Sequence, residues 1–244
     1  MSVEPSQEGF IHDLDELRDN AGFQDAVSLV NTADIAWMKN VTTITGGVHI
    51  ESTGLTNLTG LANLQNIGGE LYIYNNQQLG TLAGLSGVQT VGAGVTIQSD
   101  NALTSLTGLG ALKTIATFFT IINNNALTNV NAVTALTSIG GALTIQNQSA
   151  ITSLDGFVNL TTIGGGATIY NDAALTSILG LIKPTGKLAT VTGGLNISQN
   201  AQLTTCQPDA LKAGVTGVTS YSNSGNLACT TPKTCAGAQK TVCQ

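Results

Sequence analysis

The residues able to do chemistry are few and scattered. His12 and His49 are the two histidines of the chain. The sequence contains no Ser, His and Asp set with a nucleophile elbow, no phosphate-cradling loop and no cluster with metal-ligand spacing. Asp100 and Asp172 come nearest to a carboxylate pair. In the repeat described below they stand three repeats apart, about 14 Å at the roughly 4.8 Å spacing of stacked strands, too far for retaining or inverting glycosidases. Asp155 and Glu70 read as single, solvated carboxylates, and both histidines as surface residues. The expectation is a protein that is not an enzyme and needs no cofactor.

Thiols are the other candidate chemistry. Cys206, Cys229, Cys235 and Cys243 all lie near the C-terminus. Four clustered thiols could form a tetrahedral zinc cage, but the spacings include no C-x-x-C pair and neither histidine is near in sequence. An even count confined to one segment fits disulfides in an oxidising compartment. If Cys206 pairs with Cys229, then Cys235 and Cys243 are the remaining pair.

Charge narrows the partners. A net charge of −6 without a basic cluster excludes nucleic acid and anionic membrane surfaces, which need a positive footprint. No apolar run is long enough to span a bilayer. The start, Met1 to Pro5, lacks the basic and apolar regions of a signal peptide and reads as a trimmed or recombinant beginning, so a secreted or cell-surface location stays open. Only 9% of residues are charged and 4% aromatic, a bias that points to an internal repeat.

The repeat is what must position any site. Ile73, Ile97, Ile121, Ile145 and Ile169 recur every 24 residues, flanked by Ile50 and Ile197. Leu55, Leu79, Leu103, Leu127, Ile151, Leu175 and Leu203 keep the same register. So do Ile67, Val91, Ile115, Ile139, Ile163 and Val191. One repeat reads L-x-I-x-x-N-x-x-L-x-x-L-x-G-L-x-x-L-x-x-I-G-G, clearest from Leu71 to Val91. The L-x-I alternation demands an extended strand, because side chains two apart share a face only at period two. Gly-Gly pairs at 46–47, 68–69, 140–141 and 193–194 precede strands, where a corner needs positive φ or close approach. The x-x-N position carries Asn76, Asp100, Asn124, Gln148, Asp172 and Asn200, a polar ladder suited to backbone groups left unpaired at a bend. A single repeat cannot bury its apolar face, so stacking must supply the core.

Residues flanking the inward isoleucine point outward. One column is His49, Tyr72, Thr96, Thr120, Thr144, Thr168 and Asn196; its companion is Glu51, Tyr74, Gln98, Ile122, Gln146, Tyr170 and Ser198. Together they tile a flat face roughly 30 Å long. The fourth repeat departs from the pattern, with Ala116-Thr117 in place of glycines and Phe118 and Ile122 outward. The candidate binding residues are therefore Tyr72, Tyr74, Thr96, Gln98, Phe118, Thr120, Ile122, Thr144, Gln146 and Tyr170. Strand propensity alone also favours Thr, Tyr and Ile at exposed strand positions. Regular hydroxyls on a rigid face suggest ice binding as a minor alternative. A second series, Thr104, Thr128, Thr152, Thr176 and Thr204, lies between inward leucines, yet neither series forms two matched columns. Sequons at Asn40, Asn57, Asn147, Asn159 and Asn196 follow from an Asn- and Thr-rich composition.

Over about residues 27 to 206 the L-x-I-x-x-N-x-x-L string, followed by L-x-G-L-x-x-L-x-x-I-G-G, resembles the receptor L-domain repeats of insulin- and growth-factor-type receptors. It also resembles fungal cell-wall and bacterial surface proteins with such repeats. The resemblance implies a right-handed solenoid with short sheets and a secreted location, and carries over no catalytic residue. Receptor L domains bear cysteines along their length; here they gather at one end, which favours a free-standing, bacterial surface protein.

The expected fold is all-β: a parallel right-handed β-solenoid of about seven 24-residue rungs over 27–205. Residues 1–26, with helical spacing from Ile11 to Asp19, form an N-terminal helical cap, and 206–244 a cysteine-containing C-terminal cap. The expected function is recognition or adhesion, binding a protein or glycan at a cell surface through the L-x-I face. A structural subunit of a cell envelope or surface filament is the alternative. The chain would be a monomer or associate laterally.

Overall fold

A computed structural model describes residues 26–229. The chain is mostly parallel β-sheet with few helices, an arrangement consistent with a β-solenoid. Nine strands make one sheet in sequence order: Val27–Ser28, Val48–Glu51, Leu71–Tyr74, Val95–Gln98, Phe119–Ile122, Leu143–Gln146, Ala167–Tyr170, Gly194–Ser198 and Ser220–Ser222. Each pairs in parallel with the next, so that Ile50, Ile73, Ile97, Ile121, Ile145, Ile169 and Ile197 align in register. A seven-stranded sheet of two-residue strands, from Thr43–Ile44 to Thr190–Val191, carries the Ile67, Val91, Ile115 column.

The core is lined by both sheets and by the connections between them. The three apolar columns read from the sequence are buried throughout: the Ile50 and Ile67 columns are inward strand residues, and the Leu55 column lies in the turns that follow the longer strands. Phe119 and Phe157, both fully buried, meet edge to face with ring centroids 6.3 Å apart.

Of the two roles open to the Gly-Gly pairs, positive φ or close approach, they fill the second. The left-handed backbone is not at the Gly-Gly pairs but one residue after each outward strand end, at Ser52, Asn75, Ser99, Asn123, Asn147, Asn171 and Gln199, with φ between 52° and 61°. Asn is the non-glycine residue best suited there, because its short amide satisfies local backbone. The Gly-Gly positions answer close approach instead: a Cβ at Gly68 would collide with the Thr45 carbonyl, and one at Gly140 with that of Ala116.

The polar ladder is present and fully buried. Asn124 Oδ1 accepts from the Asp100 backbone N–H at 2.9 Å, while its Nδ2 donates to the Ile97 carbonyl at 2.9 Å. Asn76, Gln148 and Asn200 repeat the amide donation to Ile50, Ile121 and Ile169. The periodicity also runs beyond Cys206, where it was read as ending. Ser220–Ser222 adds the ninth strand, and Asn226 donates to the Ile197 carbonyl at 2.6 Å.

Among the described residues two α-helices interrupt the β pattern. Thr32–Trp37 lies within the span expected to be β-solenoid from residue 27, and Asn31 and Asp34 give it a reciprocal capping box. Cys206–Gly214 follows the last long strand, and a disulfide joins Cys206 to Cys229. Cys235, Cys243, His12 and all but the last residue of the cap expected over 1–26 lie outside the described residues.

Candidate functional site

The outward side chains of the nine-stranded sheet form the candidate site. Parallel pairing puts His49, Tyr72, Thr96, Thr120, Thr144, Thr168 and Asn196 side by side, and Glu51, Tyr74, Gln98, Ile122, Gln146, Tyr170 and Ser198 beside them. The proposed residues thus share one surface, though not with equal access. Thr96 and Ser198 are buried. The Thr96 hydroxyl donates to Glu70 Oε1 at 2.7 Å, and Ser198 Oγ donates to Asn196 Oδ1 at 2.5 Å. Short side chains held down by their neighbours present little to a partner.

The N-terminal end of the face is aromatic. The Tyr72 ring sits 5.4 Å from His49 and 5.8 Å from Tyr74, with the two tyrosines inclined by only 26°. Register across the sheet and the strand alternation force this grouping: Tyr72 lies opposite His49, and Tyr74 is its same-face neighbour two residues on. Glu51 lies opposite Tyr74, and Glu70 immediately precedes the strand. Partial burial raises the Tyr72 phenol above its ordinary value, with Glu51, then Tyr74, Glu70 and Asp100 adding to the effect. Tyr72 therefore stays a neutral donor and acceptor in physiological conditions.

Phe118 is exposed as expected, but it is not a free protrusion. A Cβ at Gly94 would collide with its ring, so the ring rests on the backbone that Gly94 leaves bare. Ile122 is half-buried between Gln98 and Gln146, and Tyr170 lies between Gln146 and Ser198. The face combines aromatic planes with hydroxyl and amide groups, which can stack and hydrogen-bond.

Two sequence readings need correction. Asp155 is not a solvated carboxylate: its Oδ1 accepts from Ser177 Oγ at 3.0 Å and from the Gly180 backbone N–H at 3.2 Å. Glu70, also read as solitary, belongs to the aromatic end of the face. A column-by-column reading of the residue before each strand, where Glu70 and Phe118 replace the small Gly47, Gly94, Ala142, Gly166 and Gly194, would have found it. In the second Thr series, Thr128, Thr152 and Thr176 each donate to the carbonyl of the Thr one repeat earlier, at 3.0 to 3.5 Å. Their protons serve the coil. Among the described residues no group of three or more His, Cys, Asp or Glu could hold a metal. Nor is any helix among them long and apolar enough to cross a membrane.

A separate cleft of about 170 Å³ lies between the Thr32–Trp37 helix and Leu55, Asn57, Thr59 and Gly60. Its lining carries no charged side chain.

Residues 16–107 match the family model of the Receptor L domain. The chain is receptor L-domain-like. Receptor L domains are extracellular ligand-binding domains, and the matched segment includes the strands from Val27–Ser28 to Val95–Gln98, so it contains His49, Tyr72 and Tyr74. No curated protein and no solved structure matches the chain.

Proposed function

We propose that this chain is a non-catalytic recognition module, secreted or displayed on a cell surface, that takes a protein or glycan partner on its nine-stranded face. The observation that carries this reading is the contiguous ring cluster of His49, Tyr72 and Tyr74 on an outward strand surface, bordered by Glu51 and Glu70. Aromatic planes supply large contact area at low entropic cost, and flanking acceptors fix orientation. Thr120, Thr144 and Gln146 extend the polar part of the contact, and Phe118, Ile122 and Tyr170 its apolar part.

In this reading the coil is right-handed, and the Cys206–Cys229 bridge secures the end beyond its ninth strand. A secured end blunts the strand edge that end-to-end stacking would use, which leaves the face as the surface available for contact.

The test compares the wild-type protein with a Tyr74→Ser, Ile122→Ser, Tyr170→Ser variant on a glycan array and on intact cells. Loss of binding with unchanged thermal unfolding supports the proposal. Retained binding refutes it. Molar mass by light scattering separates the scaffold alternative: concentration-dependent assembly abolished by the same substitutions would make the face a lateral packing surface.

A further inference from the structure

The buried ladder contains two members that break its chemistry. Asn76, Asn124, Gln148, Asn200 and Asn226 each use the amide oxygen to accept from a backbone N–H of the preceding repeat, and the amide nitrogen to donate to a strand carbonyl. Asp100 and Asp172 reproduce the first half. Asp100 Oδ1 accepts from the Asn76 backbone N–H at 2.7 Å, and Asp172 Oδ1 from that of Gln148 at 2.9 Å. The other oxygen of each, Oδ2, is buried and has no hydrogen-bond partner.

We propose that Asp100 and Asp172 stand in the ladder as neutral carboxylic acids, each donating its Oδ2 proton to the strand carbonyl that an amide would meet, and that their ionisation is a pH switch on the coil's stability. By the ladder's register those carbonyls are Ile73 for Asp100 and Ile145 for Asp172, one repeat from the Ile97 and Ile169 carbonyls that Asn124 and Asn200 use. A protonated carboxyl has one donor and one acceptor oxygen, the same inventory the site asks of an amide. An ionised one places acceptor against acceptor in a dry site.

The surroundings favour the neutral form. Burial raises Asp100 to about 6, opposed by hydrogen bonds from Asn76 and Gln98, and raises Asp172 to about 7, opposed by the Gln148 backbone. The ladder neighbours of both acids, Asn76 and Asn124 or Gln148 and Asn200, do not titrate. Tyr72 is coupled to Asp100, and its raised phenol stays neutral through this range.

The sign follows from linkage. With folded values above the ordinary carboxylate value of about 4, the contribution is complete below about pH 4 and is lost as pH rises through about 6 and about 7. Each acid weakens folding about tenfold per pH unit within its own window.

Carboxyl carbon NMR across pH 3 to 9, with Asp100→Asn and Asp172→Asn variants for assignment, tests this. Two aspartates titrating near 6 and 7, each absent in its own variant, are expected. Urea unfolding of the double variant should show its advantage over wild type growing between pH 4 and pH 8 by about a hundredfold from Asp100 multiplied by about a thousandfold from Asp172. Midpoints near 4 for both acids, or a double variant whose stability stays parallel to wild type over that range, overturn the proposal.

Discussion

Asn124 Nδ2 donates to the Ile97 carbonyl at 2.9 Å across 27 residues of chain, and both groups are fully buried. The same side chain holds the Asp100 backbone N–H. Asn124→Ala strands two backbone groups away from water, at about 1–3 kcal/mol each. We expect a loss of about 2–5 kcal/mol in urea unfolding, against less than about 1 kcal/mol for Asn125→Ala on the exposed side of the corner. Equal effects of the two would show that the ladder does not hold the repeats together.

Gly108 has φ 120° and packs so closely that a Cβ would collide with the Leu82 carbonyl. A neighbouring glycine, Gly110, has only the Ala132 carbonyl at 3.6 Å from such a Cβ. Gly108→Ala should cost at least about 1–3 kcal/mol, since both backbone strain and collision oppose it. Gly110→Ala should be neutral or stabilise by up to about 1 kcal/mol. Differential scanning calorimetry on the pair reads the difference directly; a lower Tm for Gly110→Ala than for Gly108→Ala would contradict it.

The Cys206–Cys229 bridge spans 23 residues and ties the Cys206–Gly214 helix to the chain beyond the ninth strand. Closing a loop of that length stabilises by about 3 kcal/mol in the chain-entropy model. Cys206→Ser with Cys229→Ser should lower stability by about that amount while leaving the circular-dichroism signal of the sheets intact. Complete loss of the β signal would mean that the bridge nucleates the coil and does more than secure its end.

The features legible in the sequence were those that the repeat enforces at every copy. Ile73 to Ile169 revealed strand, face and register together, because a buried position repeated in stacked strands admits little else. Asn124 and its column were legible for the same reason. What escaped was local. The helix Thr32–Trp37, inside the span expected to be β-solenoid, is signalled by Asn31 and Asp34 three residues apart, the spacing of a capping box. The Gly-Gly pairs left positive φ and close approach both open, and it is Asn75 and Asn123 that bear the positive φ. Adjacent glycines signal either conformational freedom or close approach, and sequence does not separate the two. The partnership of Glu70 with Thr96 crosses repeats between columns of different composition, so no periodicity announced it.

Binding on the nine-stranded face is the central claim, and the face is separable from the fold. Tyr74, Ile122 and Tyr170 lie outward of the buried columns, so serine at all three should leave Tm within a few degrees of wild type. The decisive measurement is surface binding of that triple variant beside wild type, on cells and on a glycan array, with thermal unfolding recorded on the same samples. The account predicts at least a tenfold loss of binding with the fold intact. Undiminished binding by the folded variant would contradict it.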